Sequence, residues 1–185
     1  MAQIVLLSTV NNLIEEMPIN ADSDSDNLSK VMYISQEMYI QSALGSNLYK
    51  KIKQLVFDDQ IGESINLNYK KLLDEFIVSL LHRYTYYKSL RVQSNQLTDK
   101  GVQKRNGESS SFASDVNVHA LRQDALNDAE FHEKLMINYI CEGGTSKFPE
   151  YWNSEREDLL PKNGNTFNGI VYSGKNNISN KKRKW

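Results

Sequence analysis

The chain is poor in the residues that build covalent or metal staples. It has one cysteine, three prolines and nine glycines in 185 residues. A lone thiol, Cys141, excludes an intramolecular disulfide and every multi-cysteine metal site. Long apolar runs are missing too: no stretch approaches the ~18 residues of a membrane span. The opening run Ile4-Val5-Leu6-Leu7 has no Lys or Arg before it and no cleavage pattern after it. It is too short for a signal-peptide core. We therefore expect a protein made and kept in a reducing cytosol, where the sequons at Asn27 and Asn177 carry no meaning. Net charge is also lacking: 22 Lys+Arg stand against 23 Asp+Glu, for a total of -1. That balance argues against a strongly basic, dedicated nucleic-acid binder. There is no nucleophile elbow, Gly-rich dinucleotide loop or kinase signature.

What is present is length and periodicity. A chain of 185 residues suits about one domain and can bury a core without staples. The charge is unevenly spread. Residues 1–30 hold five acids and one base, whereas residues 161–185 hold six bases and no acid. The neutral total hides two ends of opposite sign.

Apolar spacing predicts helices. Thr9 to Glu16 fits one or two turns. Ser25, Asp26 and Asn27 are candidate caps for a helix carrying Leu28, Val31, Met32, Met38 and Tyr39 and running to about Leu44. Gly45 punctuates it, and Leu48, Ile52, Leu55 and Val56 continue to Phe57. The strongest stripe is Leu72, Leu73, Phe76, Ile77, Leu80, Leu81, Tyr84, Tyr87 and Leu90; Gly and Pro are absent from 67–92. Residues 93–115 read as a long loop, with room for a β-hairpin around Gly101-Val102. Asp115 opens another helix with Val118, Leu121, Ala125, Ala129, Leu135, Met136 and Tyr139 as its stripe, ended by Gly143-Gly144. An aromatic turn, Phe148 to Trp152, follows. The expected fold is mainly α: a small antiparallel helix bundle with a long loop and an extended C-terminal arm. The expected division is a helical domain over 1–160 and a flexible basic arm over 161–185.

Several stretches come near motifs that carry chemistry. Asp22-Ser23-Asp24-Ser25-Asp26 starts like a calcium loop, but the sixth position is Asn27, not Gly, and the twelfth is Tyr33, not Glu. It reads as an acidic loop before a helix. Gly169 to Lys175 has P-loop spacing, yet Asn176 replaces the magnesium-binding hydroxyl and no helix follows. His132-Glu133 opens a zinc-protease pattern whose second histidine position is Met136. His82 and His119 have no evident partner cluster, and Cys141 reads as a small hydrophobe. No metal site, cofactor or catalytic residue is assigned. Tyr84, Tyr86 and Tyr87 beside Arg83, Lys88 and Arg91 suit the core, or a base-stacking platform. Lys181-Lys182-Arg183-Lys184-Trp185 is the one sharp basic run: a localisation signal, a nucleic-acid arm, a docking tail or a solvated end.

A resemblance rests on the order of segments. Leu28-Ser29-Lys30-Val31 leads through Gln36-Glu37-Met38-Tyr39-Ile40-Gln41-Ser42-Ala43-Leu44-Gly45-Ser46-Asn47-Leu48-Tyr49 into the Tyr-rich helix. Lys100-Gly101-Val102 and a Ser-rich loop come next, then Phe148-Pro149-Glu150-Tyr151. Over about residues 9–152 this resembles the head–tail connector (neck ring adaptor) proteins of tailed bacteriophages, especially of the crAss-like and Bacteroidetes phage type. The signature positions are Leu44, Gly45, Leu48, Tyr49, Gly101, Phe148, Pro149 and Tyr151.

The resemblance implies a non-enzymatic, mainly helical virion protein made in the host cytoplasm. It would form a ring, commonly of twelve copies, that joins the portal to the tail and extends the DNA channel for genome ejection. Implied partners are further copies, the portal, other neck or tail proteins and the passing viral DNA, with no membrane. Residues Lys181 to Trp185 would then serve an oligomer or partner interface. A closing ring needs a head-to-tail contact between unlike faces, and the two oppositely charged ends could set its register. The alternative is a small helical nucleic-acid-binding protein that uses the basic arm.

Overall fold

The computed structural model describes residues 4–20, 22–98, 101–104, 115–153 and 159–162. Thr9 caps a short helix, α1 (Val10–Glu16), by accepting from the Asn12 amide. The next helix is capped by Asp24, whose carboxylate accepts from the amides of Asp26 and Asn27. The cap thus lies one residue before those expected. Part of the calcium-loop-like stretch is spent on the helix's own orphan N–H groups, which a carboxylate satisfies well.

From there α2 (Ser25–Ser35) runs through a π turn (Gln36–Ile40) into α3 (Gln41–Leu44). Gly45 redirects the chain, and α4 (Ser46–Phe57) follows. A 3-10 turn (Ser64–Asn66) leads into α5 (Leu67–Leu72), a second π turn (Leu73–Ile77) and α6 (Val78–Ser94), which together form the long helix expected over 67–92. Strands β1 (Asn95–Thr98) and β2 (Gly101–Lys104) pair antiparallel, with Asn95 opposite Lys104 and Thr98 opposite Gly101. Then comes α7 (Asp115–Lys147), broken at Gly144, where φ is +60°. One last turn, α8 (Pro149–Trp152), starts with proline where a missing N–H costs nothing.

The fold is mainly α, a small bundle of helices with one hairpin. Helix α6 is its axis and packs on both α2 and α7. Contacts between this long helix and α7 run in opposite directions: Phe76, in the second π turn, stacks on Tyr139, Tyr84 meets Glu133, and Tyr87 meets Arg122. The pair is therefore antiparallel. Leu13, Met32, Ile40, Leu44, Leu48, Ile52, Leu72, Ile77, Leu80, Leu81, Met136, Ile140, Phe148 and Tyr151 belong to one buried cluster. Burying each such side chain stabilises the fold by roughly 1.5–3 kcal/mol.

One expectation changes. On α7 the inward face is Ala129, Glu133, Met136, Ile137 and Ile140, while Leu121 and Leu135 face solvent. The apolar pattern misled because a carboxylate, Glu133, occupies an inward position. The expected boundary at 160/161 has described residues on both sides. Pro161 and Lys162 are packed on the helical body: the Lys162 amide donates to the Ala43 carbonyl at 3.3 Å and the Ser46 amide to the Leu159 carbonyl at 3.1 Å. The remainder of the arm, including the P-loop-like Gly169–Lys175 and Lys181, Lys182, Arg183, Lys184 and Trp185, lies outside the described residues.

Candidate functional site

The signature residues are the natural place to look. Gly45 ends α3 and begins α4 at φ +74° and ψ 158°. That backbone region is open essentially to glycine alone. A second reason for glycine is room: a Cβ there would sit 2.8 Å from Pro161 Cδ and 2.9 Å from the Pro161 nitrogen. Leu44 and Leu48 flank the turn and are fully buried, with Tyr49 nearly so. Phe148 and Tyr151, a hundred residues later in sequence, complete the same apolar cluster. Tyr151 donates through its hydroxyl to the Lys162 carbonyl. Six of the eight signature residues (Leu44, Gly45, Leu48, Tyr49, Phe148 and Tyr151) therefore hold one seat, and residues 159–162 lie across it as a strap. Pro149 starts α8 beside the seat, whereas Gly101 sits apart in the hairpin.

The strap is fixed by a carboxylate. Glu133 is only 7% exposed. Its Oε2 accepts from the Tyr84 hydroxyl at 2.5 Å and its Oε1 lies 2.6 Å from Lys162 Nζ. Burial, reinforced by the bond to this carboxylate, pushes the Tyr84 hydroxyl far above its ordinary pKa. Tyr84 also stacks on Tyr39 at 4.1 Å, and the Arg122 guanidinium lies 4.9 Å from the centre of the Tyr87 ring. Tyr84 is thus committed to the interior and offers no face for a base.

Two polar stitches hold the N-terminal segment. The Gln36 side chain, buried at the first π turn, accepts from the Leu7 amide and donates to the Val5 carbonyl and the Tyr49 hydroxyl, all at 2.9 Å. Tyr49 in turn donates to Glu37 at 2.5 Å, and Lys53 reaches the same carboxylate at 3.2 Å. Burial first, then the neighbouring Glu37, raises the Tyr49 hydroxyl well above its usual range.

The second stitch centres on His82. Its Nδ1 lies 2.5 Å from Glu16 Oε2 and its Nε2 2.7 Å from Ser8 Oγ. Arg83 bridges Glu16 at 2.8 Å and Asp128 at 2.9 Å, joining α1, α6 and α7. Burial alone would raise the Glu16 carboxyl, but bonds from Ser79, His82 and Arg83 outweigh it and hold it below the ordinary 4.5. An ionised carboxylate can only accept, so Nδ1 carries the proton shared with Glu16.

The connectivity resembles a serine–histidine–acid relay. His82 is, however, 1% exposed and acts here as a tie between segments. The sequence reading gave His82 no partner, because Glu16 is 66 positions away and no local spacing announces the pair.

The other near-motifs disperse. His132 lies 3.7 Å from Asp128; burial and the Arg83 charge lower its pKa below the ordinary 6.5. Its neighbour Glu133 is the strap carboxylate rather than part of a metal pair. Cys141 is half-buried against the core cluster. Among the described residues no group of three or more His, Cys, Asp or Glu side chains could hold a metal ion. No described helix is long and apolar enough to cross a membrane. A shallow open hollow lies beside the seat, lined by Asn47, Lys50, Lys51, Gln54, Pro149, Glu150 and Asn153.

A protein-family model spans the seat and the strap together, matching residues 40–177. The chain belongs to the family of unknown function DUF6712. The match begins inside the first π turn, so α1 and α2 precede it. It takes in all eight signature positions. No curated protein and no solved structure matches the chain. Membership in DUF6712 thus ties the strapped seat to a family without lending it an activity.

Proposed function

We propose that this DUF6712 chain is a structural subunit of the tailed-phage neck, forming a ring that joins portal to tail. One observation carries the reading. Two of the segments that suggested the neck connectors, Leu44 to Tyr49 and Phe148 to Tyr151, lie a hundred residues apart in sequence and meet at a single built feature: the Gly45 seat with its strap. A feature made of glycine geometry, buried apolar side chains and backbone bonds sets shape. Its one buried carboxylate is already bonded to Tyr84 and Lys162. Such a subunit works by presenting surfaces, and a ring closes when one surface fits a different surface of the next copy.

The charges once assigned to the two ends are partly used within the subunit. Glu16 is held by His82 and Arg83, Asp24 caps α2, and Lys162 pairs with Glu133. Mass photometry and negative-stain microscopy of the purified chain, alone and mixed with its portal, test the proposal. Rings, or a stoichiometric collar on the portal, are expected. A strict monomer that ignores the portal and the other neck proteins would refute it.

A further inference from the structure

The strap lies in the seat as a bound peptide lies in its receptor. Two main-chain bonds bracket it: the Ser46 amide donates to the Leu159 carbonyl at 3.1 Å, and the Lys162 amide to the Ala43 carbonyl at 3.3 Å. The Tyr151 hydroxyl donates to the Lys162 carbonyl. Between these bonds the Pro161 ring covers Gly45, so closely that a Cβ there would lie 2.8 Å from its Cδ. Proline biases the residue before it toward extended backbone, so the segment arrives partly ordered. At the far end Glu133, 7% exposed, takes the Lys162 ammonium at 2.6 Å. Main-chain bonds give such a site its hold, and the places for the ring and the charge give it selectivity.

These bonds depend on what the segment carries, not on which copy carries it. Even Tyr151 is 11 positions from the residue it grips. The two strap leucines, Leu159 and Leu160, stay exposed, so lifting the strap strips little apolar contact from them. Segments of this kind open locally at less cost than a core does. An opened seat accepts few substitutes. Glu133 would face no cation, and a buried charge without its partner is costly. The Ser46 amide and the Ala43 carbonyl would lose their bonds as well. Whatever refills the seat must bring a carbonyl, a ring, an amide and a cation at one spacing. Residues 159–162 of a second copy bring all four by identity.

We propose that the seat is a recognition site for an extended aliphatic–Pro–Lys segment, filled by the chain's own residues 159–162 and able to take the same residues of a second copy. Exchanging an identical element is a low-cost route from one copy to another, because no new surface has to be built. The inference goes beyond the ring reading and does not depend on it: two chains that trade straps form a pair without any ring.

Complementation tests the exchange in full-length chains. Gly45→Ala blocks the seat and leaves the strap intact. Lys162→Glu sets a second carboxylate against Glu133, which spoils the strap and leaves the seat intact. Mixed, the two should form a species in sedimentation velocity that neither forms alone. In the Lys162→Glu chain the Ser46 amide should regain the hydrogen-exchange protection it lacks by itself. Circular dichroism shows that both variants fold. A second arm spares both the glycine and the ion pair. In a Cys141→Ser background, a Ser46→Cys chain is mixed with a Leu159→Cys chain and oxidised mildly. Bridges between the two chains should exceed those formed when Gly62→Cys replaces Ser46→Cys. Both cysteines placed in one chain show that the geometry permits the bond.

Regained protection or excess bridging supports the exchange. A Ser46 amide that stays unprotected in the mixture, with no excess of bridges between chains, overturns it. Rings that form under those conditions leave the ring reading standing without exchange.

Discussion

Replacing Gly45 with alanine strikes the seat at its tightest point. Two costs add. At φ +74° and ψ 158° a side chain sits in a backbone region that costs about 1–3 kcal/mol. The new Cβ would also lie 2.8 Å from Pro161 Cδ and 2.9 Å from the Pro161 nitrogen. Both atoms belong to the Pro161 ring, whose nitrogen is backbone, so the strap itself must lift. Forcing an extra carbon into packed space costs roughly 1–3 kcal/mol. The sum, about 2–6 kcal/mol, should lower the melting midpoint by about 10 °C, at ~2–4 °C per kcal/mol for a chain of this size.

Hydrogen exchange locates the damage. The amides of Ser46 and Lys162, which bond across the strap, should lose protection before those of α6. Gly62→Ala is the control: a Cβ there meets nothing within 4 Å, so its effect should stay within ~0.5 kcal/mol. A Gly45→Ala chain melting within about 2 °C of wild type, with both amides still protected, would refute the argument.

Other predictions follow from the polar ties. Glu133→Ala leaves the Tyr84 hydroxyl without its acceptor and Lys162 without its anion, which should cost about 1–3 kcal/mol in urea unfolding. Tyr49→Phe removes the donor to Glu37 and the acceptor of the buried Gln36 amide; a loss of about 1–3 kcal/mol is expected by the same measurement. Glu16 is held below its ordinary 4.5, so the folded state binds that proton more weakly than the unfolded chain. Its contribution is complete above the ordinary value and fades as pH falls through the folded one, so the stability gap between wild type and Glu16→Gln should close in acid. By NMR, His132 should titrate below the ordinary 6.5 and be neutral at neutral pH.

The helices were legible because apolar residues repeat at helical spacing, and Gly45 and Gly144 marked breaks that the backbone makes. What escaped were pairings without a local period. Glu16 finds His82, Gln36 finds Val5 and Leu7, and Glu133 finds Lys162 only after the chain has closed. The π turns escaped for a related reason. Each inserts a residue and rotates the helical stripe, and the same side chains read as an ordinary helix until the backbone is seen. Of the candidate site, the sequence showed the residues of the seat but not the strap that gives Gly45 its second reason to be glycine.

The strap also sets a schedule. Ala43 waits for Lys162, and Ser46 for Leu159, so the seat cannot close on a ribosome until nearly the whole described chain has emerged. Until then Leu44 and Leu48 lack Phe148 and Tyr151 as neighbours, and the α4–α8 end does not exist as a surface. In the ring proposed above, a chain cut short of Leu159 would lack the strapped seat, so only a chain made through Lys162 could carry that end into an assembly.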